Sequence, residues 1–189
     1  SIETAVEAFG KLKVASTMNL VLLGRPRLGE PAVEAAIKAL PNPERVIRLH
    51  YVVESDLRAL YQGAAAFVFP SKYEGFGLPV LEGMQAGVPV IASKIASIPE
   101  VGGDVIEYFK PGDSDDLVAA IDKVFNKSDI QREAQISAQK QRAERFNWET
   151  TAKDTLSILL DAAKLEADAR KDKKSGGSNH KEGGAPLIS

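Results

Sequence analysis

Glu74 and Glu82 bracket the stretch Glu74-Gly-Phe-Gly-Leu-Pro-Val-Leu-Glu82. An ionised carboxylate only accepts hydrogen bonds, and its two oxygens suit the two donating hydroxyls of a vicinal diol. Between the glutamates, Gly75 and Gly77 flank Phe76 and let the backbone come close to a ligand. Pro79 sits at the start of a predicted helix. The free N–H groups of a helix start, with the dipole behind them, favour a phosphate. Proline removes one of those donors, so the amides of the glycine loop must contribute as well. Hydroxyl readers at both ends, with amide donors between them, suit a ligand made of a diol, a pyrophosphate and a second diol. A nucleotide sugar is such a ligand. Each residue taken singly has a plainer reading. Acidic residues near a helix start are stabilising for local reasons, and glycine is a common residue just before a helix. The functional reading rests on the whole string.

The elements that must position this string alternate between strand and helix. Helical spacing of Ile2, Val6, Phe9 and Leu12 predicts a helix over 2–13. Leu20-Val-Leu-Leu-Gly24 reads as a short buried parallel strand stopped by glycine. A helix over 31–40 follows, then a strand over 46–53 and a helix capped by Ser55 that runs to Ala64. Residues 65–69 read as a strand stopped by Pro70, and 79–86 as a helix with proline at its start and Gly87 at its end. Strands over 88–92 and 105–109 precede a helix from Asp113 or Ser114 to Phe125, then helices over 130–145 and 148–168. This alternation implies an α/β, doubly wound, mostly parallel sheet. In such sheets ligands bind beyond the carboxyl ends of the strands, where the loop between Phe69 and Pro79 falls. Residues 1–168 read as one domain with its C-terminal helices. Residues 169–189 are polar, charged and glycine-rich and are expected to be a disordered tail. Its lysines leave peripheral contact with an anionic membrane surface open, though solvation is the plainer role.

Composition narrows the function classes. The chain has 189 residues, a hydrophobic content of 44% that can bury a core, and a net charge of -2 that argues against nucleic-acid binding. It has no cysteine, which removes disulfides and thiolate chemistry and is compatible with a cytoplasmic setting, including the inner face of a membrane. Only His50 and His180 are histidines, so a histidine-rich metal site is excluded, and His50 is expected to be a partly buried strand residue. No apolar run is long enough to span a bilayer. The N-terminus opens directly into helix-like sequence, which suggests a piece of something larger.

The Glu74–Glu82 string, followed by Gly83-Met-Gln-Ala-Gly-Val-Pro-Val-Ile91, resembles the E-x7-E motif of the family-four retaining glycosyltransferases. The likeness extends to Leu20–Gly24, to Tyr51-Val52 with Glu54–Tyr61, to Pro99-Glu-Val-Gly-Gly103 and to Phe146-Asn-Trp148. It covers about residues 2 to 165. The resemblance implies a GT-B fold, of which this chain is the C-terminal, Rossmann-like half without its first strand. It implies that Glu74 meets the donor sugar and acts at the catalytic centre. Gly75, Phe76, Gly77 and Leu78 would meet the sugar and diphosphate, and Glu82 the ribose. Gly24, Val52 and Val53 would lie beside the nucleotide and its base. The implied donor is a nucleotide diphosphate sugar of the GDP-mannose or UDP-glucose type, and the acceptor a glycan, lipid or other molecule. No metal or other cofactor is obligatory for this fold, and none is expected here. Asp113-Ser-Asp-Asp116 is better explained as a helix cap with an acidic first turn.

The sequence also departs from the family. The arginine–lysine pair that clamps the diphosphate precedes the helix that here begins at Ile2, and the N-terminal acceptor domain is not in this chain. Arg25, Arg27 and Lys72 are the nearby cations, with surface solvation the plainer role for each. This chain alone is therefore expected to be inactive. The competing reading is a catalytically silent half-domain that binds a nucleotide sugar or only supports structure. A sugar-nucleotide epimerase fits the pattern poorly.

Overall fold

The computed structural model describes residues 2–25 and 29–175. It divides into two compact units, residues 1–145 and 146–189. The first unit runs α1 (Ile2–Lys11), β1 (Leu20–Leu23), α2 (Glu30–Lys38), β2 (Val46–Leu49), α3 (Glu54–Gly63), β3 (Phe67–Phe69), α4 (Leu78–Ala86), β4 (Val90–Ser93), α5 (Ile98–Gly102), β5 (Glu107–Phe109), α6 (Ser114–Phe125) and α7 (Asp129–Ala143). Every strand pairing among the described residues is parallel. β1 pairs with β2 in the register Leu20–Val46, β3 with β4 in the register Phe67–Val90, and β4 with β5 in the register Ile91–Glu107. The sheets are ordered β1-β2 and β3-β4-β5. No described strand pairs the two sheets with each other.

The core forms where the apolar stripe of α1 meets α6 and β4. Ala5, Ala8, Phe9 and Leu12 pack with Ile91, Phe109, Leu117, Ile121 and Val124. β4 is buried along its whole length, as a central parallel strand should be. β1 is not the fully buried strand its composition suggests. Val21 and Leu23 are 42% and 40% exposed, alternating with half-buried Leu20 and Leu22, so only one face of the strand is covered.

Several boundaries move for local reasons. α1 stops at Lys11 because Leu12 is extended, and a 3-10 turn over Lys13–Ser16 replaces its last residues. β2 ends at Leu49, and His50 is an exposed bend residue rather than a half-buried strand residue. Ser55 does not cap α3: Val53 occupies that position, and its carbonyl accepts from the Asp56 and Leu57 amides. β4 begins at Val90 because Pro89 has no N–H to give a ladder, although its carbonyl accepts from Phe67 at 2.9 Å. The short α5 was not expected; Pro99 near its start and Gly103 after its end are the signals for it. Asp113 does cap α6, accepting from the Asp116 amide at 3.1 Å. Ser128 and Gln131 form a reciprocal capping box on α7.

One buried and one half-buried polar group tie α6 and α7 to the sheet. The Gln139 side chain is fully buried, accepts from the Val90 amide at 3.1 Å and donates to the Val88 carbonyl at 2.9 Å. Glu107, whose side chain is only 14% exposed, takes Lys123 at 2.6 Å and Lys127 at 2.8 Å. Burial alone would raise the Glu107 carboxyl, but the two ammonium groups outweigh it and hold it below its usual 4.5. A carboxyl depressed by folding adds stability above its unfolded value, and loses it as pH falls through the folded value. Glu107→Gln is therefore expected to lower unfolding stability at neutral pH by about 1–3 kcal/mol. The gap from wild type should close in acid. Urea titrations at pH 7 and below the carboxylate range check this; a gap that persists in acid would exclude the ion pairs as its source.

The second unit is built on α8 (Trp148–Ser175), begun by Asn147, whose Oδ1 accepts from the Thr150 amide at 2.8 Å. Ion pairs one turn apart, Lys153–Glu149, Lys164–Asp161 and Arg170–Glu166, line its surface. α8 stands in its own unit and continues to Ser175. Lys171-Asp-Lys-Lys174 is polar, yet it holds good helix formers, and the breaking pair Gly176-Gly177 comes only afterwards. The rest of the expected tail, with His180, lies outside the described residues. No described helix is long and apolar enough to cross a membrane.

Candidate functional site

The Glu74–Glu82 string occupies the junction between β3 and α4. Its shape follows from Gly77, which caps α4 with φ +98 and ψ 40, a left-handed conformation that side chains rarely adopt. Gly77 is buried, and a Cβ there would lie 2.6 Å from Ile98 Cδ1. The Val80 and Leu81 amides both turn to the Gly77 carbonyl, at 2.9 and 3.3 Å. Pro79 has no N–H. The Gly77 and Leu78 amides have no backbone partner among the described residues, so the helix start presents donors where an anion would dock. Phe76 and Leu78 are exposed, as is Gly75, while Glu74 is half-buried.

Neighbouring elements hold the loop in place. Ser93, at the end of β4, donates to the Ser71 carbonyl at 2.5 Å. Ser97, just before α5, makes no cap to its own helix and donates instead to the Glu74 carbonyl at 3.2 Å. Lys72 pairs with Glu3 of α1 at 3.1 Å. Burial works to raise the Glu3 carboxyl, but its own backbone N–H and Lys72 prevail and hold it below the ordinary value. One turn into α4, exposed Glu82 accepts from the Tyr61 hydroxyl at 3.2 Å. Burial, then the charge of Glu82 and this hydrogen bond, push the Tyr61 phenol up. Linear reasoning missed Ser93, Ser97, Glu3 and Tyr61 because each reaches the site from another element.

The remaining candidates lie on other loops that follow strand ends. Gly24 continues the β1–β2 ladder, donating to the Leu49 carbonyl at 2.9 Å, with an exposed, open turn at φ +139. It lines a recess of about 150 Å³ with Ile2, Glu3, Leu23, Arg25 and Arg48. The motif loop lies outside this recess, and Glu3 adjoins both through its pair with Lys72. Val52 is half-buried and Val53 is 47% exposed at the start of α3. No hydrogen bond among the described residues joins Gly24, Val52 or Val53 to the motif loop. Of the three nearby cations, Lys72 is engaged by Glu3, Arg25 is exposed beside the recess, and Arg27 lies outside the described residues. Asp113, Asp115 and Asp116 are committed respectively to the α6 cap, to Lys11 and to the Lys110 amide.

A parallel α/β scaffold whose strand-end loop presents backbone donors between two glutamates has the chemistry to accept an anionic, hydroxyl-rich ligand. Comparison with known proteins narrows the reading. Residues 1–142 match the family of glycosyl transferases group 1, and the chain belongs to that family. It is 42% identical over 109 residues to the O-antigen chain mannosyltransferase B of Escherichia coli, covering 58% of this chain and 28% of that protein. It is 28% identical over 156 residues to the MMP alpha-(1->4)-mannosyltransferase of Mycolicibacterium hassiacum, covering 81% of this chain and 38% of that one. Among solved structures, the sucrose-phosphate synthase of Thermosynechococcus elongatus superposes with a TM-score of 0.73 at 26% identity, over 86% of this chain and 42% of that protein. The fold is thus one domain of the GT-B type, as the sequence implies. This chain spans less than half the length of each of these relatives.

Proposed function

We propose that this chain is the donor-binding part of a retaining hexosyltransferase that takes a nucleotide diphosphate sugar, with a mannosyl donor favoured by the mannosyltransferases it resembles. The carrying observation is the anchored helix start, with Gly77 and Leu78 amides between Glu74 and Glu82. In this reading those amides receive the diphosphate, Glu82 accepts from the ribose hydroxyls and Glu74 from the sugar. Transfer breaks the bond from the anomeric carbon to the diphosphate oxygen as an acceptor hydroxyl bonds to the same face of that carbon. The departing diphosphate takes the hydroxyl proton. Such a route asks the protein for charge stabilisation on the leaving group, which the loop amides supply, and for no covalent nucleophile.

The test is a thermal-shift screen with GDP, UDP and ADP and their sugars, followed by titration. A ligand that binds the native state raises the melting midpoint. Losing the charged acceptor in Glu82→Ala is expected to weaken nucleotide binding about tenfold. Glu74→Ala should leave the nucleoside diphosphate affinity in place and erase the preference for the sugar-bearing form. Equal nucleotide affinity in wild type and Glu82→Ala would sink the ribose assignment.

A further inference from the structure

Tyr61 belongs to α3, outside the motif and outside every loop so far given a role. Its ring stands edge-on to Phe67 of β3, with centroids 4.9 Å apart and planes at 86°. That contact and the surrounding burial fix where the phenol oxygen points. Its hydroxyl donates to Glu82 Oε2 at 3.2 Å. Glu82 is otherwise an exposed side chain on a helix surface, with three rotatable bonds and no other hydrogen bond among the described residues. A carboxylate of this kind spends its time over several rotamers, and a ligand that needs one of them bears the cost of ordering it. The phenol removes that freedom. It takes one oxygen and leaves Oε1 and the outer lone pair of Oε2 to accept from a ligand.

We infer that Tyr61 is a positioning residue for nucleotide recognition, holding the Glu82 carboxylate in the rotamer that accepts the two ribose hydroxyls. This rests on the reading of Glu82 as the ribose acceptor. Tyr61 does not touch the ligand; it acts only through Glu82. Its effect therefore depends on two things at once, the diol on the ligand and the carboxylate on the protein.

The experiment uses the 189-residue chain and calorimetric titration with GDP and UDP, each paired with its 2′,3′-dideoxy analogue. Tyr61→Phe keeps the ring on Phe67 and removes only the hydroxyl. It is expected to weaken binding of the ribose nucleotide about three- to tenfold, the worth of ordering one flexible side chain. It should leave the dideoxy nucleotide unchanged. In a Glu82→Ala background it should have no further effect on either ligand. Equal weakening of both nucleotides by Tyr61→Phe would reveal a general packing role and overturn the inference. So would a Tyr61→Phe affinity equal to wild type while Glu82→Ala is weakened, and in that case the ribose reading of Glu82 survives. If Glu82→Ala itself binds both nucleotides as wild type does, the underlying reading fails and the inference falls with it.

Discussion

Gly77→Ala is expected to lower both stability and nucleotide affinity more than removal of either glutamate. The alanine Cβ would sit 2.6 Å from Ile98 Cδ1, well inside contact distance, on a backbone held at φ +98. The left-handed conformation costs a side chain about 1–2 kcal/mol, and forcing a methyl into a packed site about 1–3 kcal/mol more. Ile98 cannot swing aside cheaply, because it is fully buried. The loop must yield instead, and with it the Gly77 and Leu78 amides that face the proposed diphosphate. Affinity for GDP or UDP should fall on the order of a hundredfold, the equivalent of about 3 kcal/mol. A second substitution separates the two costs. Ile98→Val deletes the one methyl in conflict and costs about 0.5–1.5 kcal/mol by itself. In that background Gly77→Ala should do less harm than in wild type, leaving mainly the backbone strain. Strictly additive losses in the double variant would show that Ile98 does not set the position of the loop.

The same glycine shows how much of the site was legible in the sequence. The Glu74–Glu82 string is contiguous, so the helix it opens and the two carboxylates that bracket it could be read from residue types alone. The alternation of strands and helices was legible for the same reason, since each element carries its own period. What was not legible is what holds the loop. Ser97 lies just before a helix, as a capping serine would, yet its hydroxyl goes to the Glu74 carbonyl. Nothing local to either residue records that pairing. Lys72 reads as a free surface cation until Glu3, far back in the chain, is found beside it. Boundaries failed where an apolar run outlasts its ladder. Tyr51-Val-Val53 extends the strand pattern, but the parallel partner β1 ends at Leu23 opposite Leu49. Within α8, Arg170 pairs with Glu166 one turn away, a contact along the helix that needs no core.

Gln139→Leu is expected to be the most destabilising single change away from the site. Periodicity gave no reason to notice Gln139, a polar residue on a largely polar helix. Its amide nevertheless completes the sheet. Pro89 interrupts the start of β4, and Gln139 spans the interruption, accepting from Val90 and donating to Val88. It behaves as a fragment of a neighbouring strand. Leucine fills a similar volume but leaves one buried amide and one buried carbonyl unpaired, each costing about 1–3 kcal/mol. The sum, about 2–6 kcal/mol, is a large share of the 5–15 kcal/mol that usually separates native from unfolded. Chemical denaturation of the variant measures it directly. Gln139→Glu sharpens the argument. A protonated glutamic acid can still accept from Val90 and donate to Val88, whereas the carboxylate cannot donate and carries a buried charge. Burial raises the folded value of that carboxyl above its unfolded one. The variant should therefore stand closest to wild type below the usual carboxylate range, and lose ground as pH rises through the raised value. Comparing the two proteins at each pH cancels the shared contribution of Glu107. A deficit that does not change with pH would mean that position 139 does not bury the carboxylate and that the hydrogen bond to Val88 contributes little.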